Sequence, residues 1–211
     1  MIAIVSSSTE ALLLAKLTDA QVIETPRFDV VDESWGFAEM LDEWRGLVIK
    51  GPQHSQVIVA PWVESLHAGT LDDIAMTNWI ERFEAPLAMW TAALGAASRL
   101  CADGGVIVAV VDKPSPLDTS GWLPETAVAD AVEALVRSLA RSEGKRGVRV
   151  NAVTTPCRTS LEPVVAPAPS LRTFPGTVDI EVAGAVRLLF ADDACGLTGV
   201  VLSADCGRSW R

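Results

Sequence analysis

The chain has 211 residues, 49% of them apolar and 21% charged, which places it among globular proteins with one sizeable core and excludes a disordered chain. Seventeen basic against twenty-seven acidic side chains leave a formal charge of −10, so phosphate-rich polymers are repelled and nucleic acid is not expected as a partner. No run approaches the roughly 20 apolar residues of a membrane-spanning helix, and the opening Met1-Ile-Ala-Ile-Val carries no basic flank; a soluble, unexported, cytoplasmic protein is expected.

Short β-branched runs alternate with helix-length amphipathic stretches, the pattern of a parallel sheet covered on both faces. In chain order, strands are predicted over residues 2–6, 21–24, 28–31, 56–60, 106–111, 148–153 and 200–204. Helices are predicted over 9–17 and 34–44, then over 86–100 and 126–141. The helix at 86–100 opens with a proline suited to a first turn and carries Leu87, Trp90 and Leu94 on one face, with Ala88, Ala92 and Gly95 beside them. The helix at 126–141 repeats this with Val128, Val132, Leu135, Val136 and Leu139, flanked by Ala127, Ala131, Ala134 and Ser138. Smooth small-residue flanks suit either helices of a second subunit or ordinary packing within one. The expected architecture is one doubly wound, Rossmann-like domain over residues 1–211, with about seven parallel strands.

Prolines at 114, 116 and 124, and at 156, 163, 167, 169 and 175, make loops of residues 112–124 and 154–176. Cys101, Cys157, Cys195 and Cys206 show no Cys-x-x-Cys pair and read as reduced thiols. His54 and His67 lack metal-type spacing and read as surface residues, so no metal site is expected. The basic cluster between Arg141 and Arg149 reads as the solvated end of a helix, where cations complement the dipole. Of the seven tryptophans, Trp35, Trp44, Trp62, Trp79, Trp90 and Trp122 read mostly as core, with one or two available to anchor a partner; Trp210 follows the last strand.

Several stretches carry a family likeness. Gly147-Val-Arg-Val-Asn-Ala-Val153 resembles the Gly-Ile-Arg-Val-Asn-x-Val strand of short-chain dehydrogenases/reductases, and Ala131-Val-Glu-Ala-Leu-Val-Arg-Ser-Leu-Ala140 is similar to the helix after that family's Tyr-x-x-x-Lys. Gly196-Leu-Thr-Gly-Val-Val-Leu-Ser-Ala-Asp205 resembles its last strand, Asp29-Val-Val-Asp32 its Asp-Val-Thr-Asp, and residues 81–94 its helix opened by Val-Asn-Leu. The resemblance implies a dinucleotide fold, NAD or NADP as cofactor, and a serine, tyrosine, lysine and asparagine that relay a proton during hydride transfer.

The positions that the resemblance assigns to chemistry hold other residues. The tyrosine place falls on Glu125, the lysine on Ala129, the serine on Asp112 and the asparagine near Arg82, and the chain contains no tyrosine. The glycine-rich cofactor turn is replaced by Ser6-Ser-Ser-Thr-Glu-Ala, where Ser6, Ser7 and Ser8 either cap a helix or bind phosphate, and Glu10 brings a negative charge. Asn-Asn-Ala-Gly becomes Val59-Ala60-Pro61-Trp62, whose indole stands where cofactor would lie; Glu24 and Asp29 occupy the remaining cofactor positions. The expectation is a non-catalytic member of the family without cofactor, oligomerising with itself or with an active relative through helices 86–100 and 126–141 and the last strand. The alternative is a divergent NAD(P)-dependent oxidoreductase acting on a small carbonyl or alcohol. A third reading is a carboxylate lyase or hydrolase built on Asp112 and Glu125.

Overall fold

The computed structural model describes residues 1–27, 37–63, 68–70, 72, 74–117, 119–159 and 171–209. Strand β1 (Ile2–Val5) is apolar and wholly buried, and Ser8 then caps helix α1 (Thr9–Leu17) by accepting from the Ala11 amide. Edge strand β2 (Gln21–Glu24) and helix α2 (Phe37–Val48) precede β3 (His54–Ala60). A short α3 (Met76–Trp79) runs through a π-helical turn at Ile80–Glu84 into α4 (Ala85–Leu100). Strand β4 (Cys101–Asp112), helix α5 (Leu123–Glu143) and β5 (Arg149–Thr155) follow. A second π-helical turn, Val178–Val182, leads into α6 (Ala183–Phe190), and β6 (Val201–Ser203) closes the sheet.

All strand pairs are parallel, in the order β2-β1-β3-β4-β5-β6. Helices α2, α4 and α5 lie side by side on one face, while α1 contacts the turn that opens α6 on the other. The doubly wound α/β expectation therefore holds, with six strands among the described residues; the strand expected at 28–31 lies outside them. The helix expected at 34–44 runs over Phe37–Val48 in the described part, and α5 extends the expected 126–141 at both ends. Proline at the first turn, Pro124, lets α5 begin before Thr126.

The family-like strand motif serves the fold. Gly147 takes φ +68°, a left-handed turn that steers the chain from the end of α5 into β5. Asn151, fully buried in β5, donates from Nδ2 to the Leu197 carbonyl and accepts at Oδ1 from the Val200 amide, tying β5 to the entry of β6. Arg149 donates to the carbonyls of Leu189 and Ala194, which clamps the end of α6 to the same strand.

On α4, much of the small-residue flank serves the chain's own packing. Met89 and Ala92 form a buried cluster with Leu41 of α2, with Ala88 packed against it, and a Cβ on Gly95 would meet Arg45 of α2 at 3.9 Å. On α5, Val128, Val132 and Val136 are buried and Leu135 and Leu139 pack against the core, whereas Ala127 and Ala131 stay half-buried and Ala134 and Ser138 exposed.

Candidate functional site

Strand β2 lies to one side of β1 and β3 to the other, so the chain reverses its winding between β1 and β3. In open parallel sheets this switch point leaves a crevice outside the carboxyl ends of the strands, the usual ligand site. Register brings Val5, Glu24 and Ala60 level at this rim, and Asp112 level with Thr155 farther along it.

The rim is already occupied by side chains. After β3 the Trp62 indole lies 2% exposed across the sheet end, its Nε1 donating to the Val110 carbonyl at 2.7 Å. Arg158, just beyond β5, stacks its guanidinium 5.2 Å from the centre of the Trp62 ring. It donates from Nη1 to Asp112 Oδ2 and from Nη2 to the Val63 carbonyl, and its Nε stands 4.0 Å from Glu10 Oε2. One buried cation thus spans the ends of three strands.

Asp112, in the place expected for a serine, is pushed up to about 6. Burial is the main cause; Arg158 pulls it down, while Glu10 and Glu125 push it further up. Its Oδ1 is buried without a hydrogen-bond partner among the described residues. Next to Arg158, burial also raises the Cys157 thiol, to about 11.

The tyrosine place carries a second ion pair. Glu125, buried in the first turn of α5, accepts at Oε1 from Arg82 Nε and at Oε2 from Arg82 Nη2, both at 2.7 Å. Arg82 sits in the π-helical turn and also donates to the Gly121 carbonyl, 3.2 Å away. Ala129, in the lysine place, is fully buried in the core. Arg82 and Glu125 are therefore joined, and Asp112 feels Glu125 electrostatically, but Ala129 supplies no polar group.

At the β1–α1 turn the hydroxyls serve the helix start. Ser8 Oγ takes the Ala11 amide, Ser6 Oγ takes the Ser8 amide, and the two hydroxyls meet at 3.2 Å. Ser7 accepts from Arg27 Nε at 2.9 Å, which brings a cation to the turn. Glu24 is exposed, its carbonyl receiving Trp44 Nε1; Asp29 and His67 lie outside the described residues. His54 is half-buried at the start of β3; its Nε2 has no hydrogen-bond partner among the described residues, and burial lowers the ring's pKa. No group of three or more metal-ligating side chains occurs among the described residues.

A separate hollow of about 60 Å³ lies beyond β4, β5 and β6, lined by Lys113, Ser115, Glu133, Thr154 and Ser203 among others. Burial pulls the Lys113 ammonium down, but hydrogen bonds to Asp130 and Glu133 outweigh it and leave the group raised. Sequence reasoning missed both Arg158 and Lys113. Their only local signal is position, within two or three residues of a strand end.

Comparison with known proteins decides the lineage. A family model described as enoyl-(acyl carrier protein) reductase matches residues 59–209, more than half of the chain. The chain belongs to the short-chain dehydrogenase/reductase family. A relative named enoyl-[acyl-carrier-protein] reductase [NADH], from Rickettsia bellii, is 32% identical over 120 residues, 53% of this chain and 46% of the relative. The chain thus spans about half the length of that curated relative. Among solved structures, a doubly substituted short-chain dehydrogenase/reductase from Serratia marcescens superposes with a TM-score of 0.71 at 21% identity, covering 99% of this chain and 97% of that one. A metagenomic blue fluorescent protein in complex with NADPH gives 0.67 at 22% identity, covering 99% and 87%. At these identities the structural likeness shows the shared fold.

Within this short-chain dehydrogenase/reductase, the residues at the rim do not fit a dinucleotide held in the family's manner. The indole of Trp62 and the guanidinium of Arg158 stack on each other at the rim, and the amides of Ser8 and Ala11 are bonded to serine hydroxyls that a phosphate would have to displace. Among the described residues no helix is long and apolar enough to cross a membrane.

Proposed function

We propose that this chain is a non-catalytic short-chain dehydrogenase/reductase, a structural or regulatory subunit that associates with itself or with an active member of the family. The forked Arg82–Glu125 pair carries the reading: at the position of the family's proton donor, both carboxylate oxygens are taken by one guanidinium. A general acid must present its proton to the reacting atom, and such catalysis supplies about 10²–10⁴-fold in rate. Ala129 offers no cation to tune a neighbouring acid or hold a ribose. The strip of α5 formed by half-buried Ala127 and Ala131 and exposed Ala134 and Ser138 is the surface proposed for association, with the neighbouring part of α4 and the last strand.

The test is steady-state oxidation of NADH and NADPH by the purified chain with aldehydes, ketones and enoyl thioesters, alongside light scattering for oligomer size. No turnover and a defined oligomer are expected. Turnover near about 1 s⁻¹, the low end of typical enzymes, overturns the reading.

A second reading is a nicotinamide-dependent reductase with a rebuilt site. It is favoured by the match over residues 59–209, by the NADH and NADPH named for the relatives, and by Arg27, which brings a cation to the start of α1. The same assay separates the two.

A further inference from the structure

Arg158 sits in its surroundings as a ligand sits in a site. Its walls come from three other parts of the chain: the Trp62 ring face and Val63 carbonyl after β3, the Asp112 carboxylate at the end of β4, and Glu10 on α1. A planar group stacks on the indole while acceptors at its edge take N–H donors lying in its plane. An independent feature points the same way: Asp112 Oδ1, buried beside the guanidinium, is an acceptor with no donor among the described residues.

We propose that this crevice is a self-occupied binding site, in which Arg158 stands in for a planar heterocycle bearing N–H donors and shuts the site against it. The proposal goes beyond the lost proton relay, and it rests on the reading that the family's dinucleotide is not held here. Charge narrows the class of ligand. With Arg158 withdrawn, the three carboxylates Glu10, Asp112 and Glu125 stand against two cations, Arg82, already held by Glu125, and Arg27 at the start of α1. The opened crevice therefore favours neutral or cationic rings, such as an amino-substituted purine without phosphate, and disfavours phosphorylated ones.

The test is calorimetric titration of the wild type and of Arg158→Ala with methylguanidinium, adenosine and AMP. Arg158→Ala is expected to bind methylguanidinium and adenosine at least about tenfold more tightly than the wild type, and adenosine more tightly than AMP. Adding Asp112→Asn to Arg158→Ala is expected to remove the gain. Equal binding by wild type and Arg158→Ala, or a preference for AMP, overturns the proposal. Should Arg158→Ala fail to fold, Arg158→Lys keeps the cation and gives up the planar fork. Intermediate binding is then expected, and wild-type behaviour overturns the proposal. Saturable binding of NADH by the wild type would instead refute the non-catalytic reading, leaving the comparison of the variants to decide this one.

Discussion

Arg82 and Glu125 meet side-on, two nitrogens on two oxygens at 2.7 Å, with the carboxylate side chain only 7% exposed. This joins a π-helical turn before α4 to the first turn of α5, at the place that the family resemblance assigns to the proton donor. Removing one partner of such a pair leaves a buried charge unmatched, which costs more than the intact pair contributes.

Arg82→Ala is accordingly expected to destabilise the fold by about 3 kcal/mol in urea denaturation. Replacing both partners with apolar residues, Arg82→Met with Glu125→Leu, is expected to cost clearly less than Arg82→Ala alone. A double variant as unstable as the single one would show that the pair does not act as a buried ion pair.

Asp112 gives the protein an unusual acid response. Its folded pKa, about 6, lies above its ordinary value of 3.8. For a carboxyl raised in this way the folded state binds the proton more readily, so this group adds stability as pH falls from about 6 towards 4 and withdraws it above 6. The contribution is at most about 3 kcal/mol. Thermal melts from about pH 7.5 to about 4.5, a window that spans the folded pKa, are expected to show a smaller acid loss in the wild type than in Asp112→Asn; parallel profiles would contradict this.

Asn151 is expected to be as sensitive as any core residue. Asn151→Ala leaves the Leu197 carbonyl and the Val200 amide without their partner inside the sheet edge. A loss of about 2–4 kcal/mol is expected by chemical denaturation, from the two unsatisfied groups and the cavity together. A change below about 0.5 kcal/mol would show that neither bond matters.

The thiols should separate cleanly. Cys195 is exposed, whereas Cys101 and Cys206 are buried and burial lifts Cys101 and Cys157 to about 11. Labelling of the native protein with a thiol reagent at neutral pH is expected to show one fast site, Cys195, because reactivity follows the exposed thiolate. Fast labelling at Cys157 would contradict the packing around Arg158.

The sheet was legible because its signal is periodic and local. Buried parallel strands such as β3 and β4 read as β-branched runs, and α4 and α5 as amphipathic repeats, the first opened by Pro86; Pro124 reads as loop and instead lies in the first turn of α5. The π-helical turns at Ile80–Glu84 and Val178–Val182 break that period, and no periodic pattern announces them. At the candidate site, registration against the family points to Asp112, Glu125 and Trp62, which stand near predicted element ends. What fills the crevice was not legible: Arg158 reaches the Val63 carbonyl 95 residues away in sequence, and no local pattern encodes a contact of that range. The small-residue flank of α4 leaves two readings open for a similar reason, because a neighbouring helix of the same chain and one of a second subunit demand the same smooth surface.

The most direct measurement is a titration of the purified wild-type protein with NADH and NADPH by calorimetry, with the melting temperature followed in parallel. With Trp62 and Arg158 in the crevice and the amides of Ser8 and Ala11 bonded to serine hydroxyls, neither nucleotide is expected to saturate or to raise the melting temperature at millimolar concentration. Micromolar saturable binding of either would contradict the non-catalytic reading and return the chain to the nicotinamide-dependent reductases.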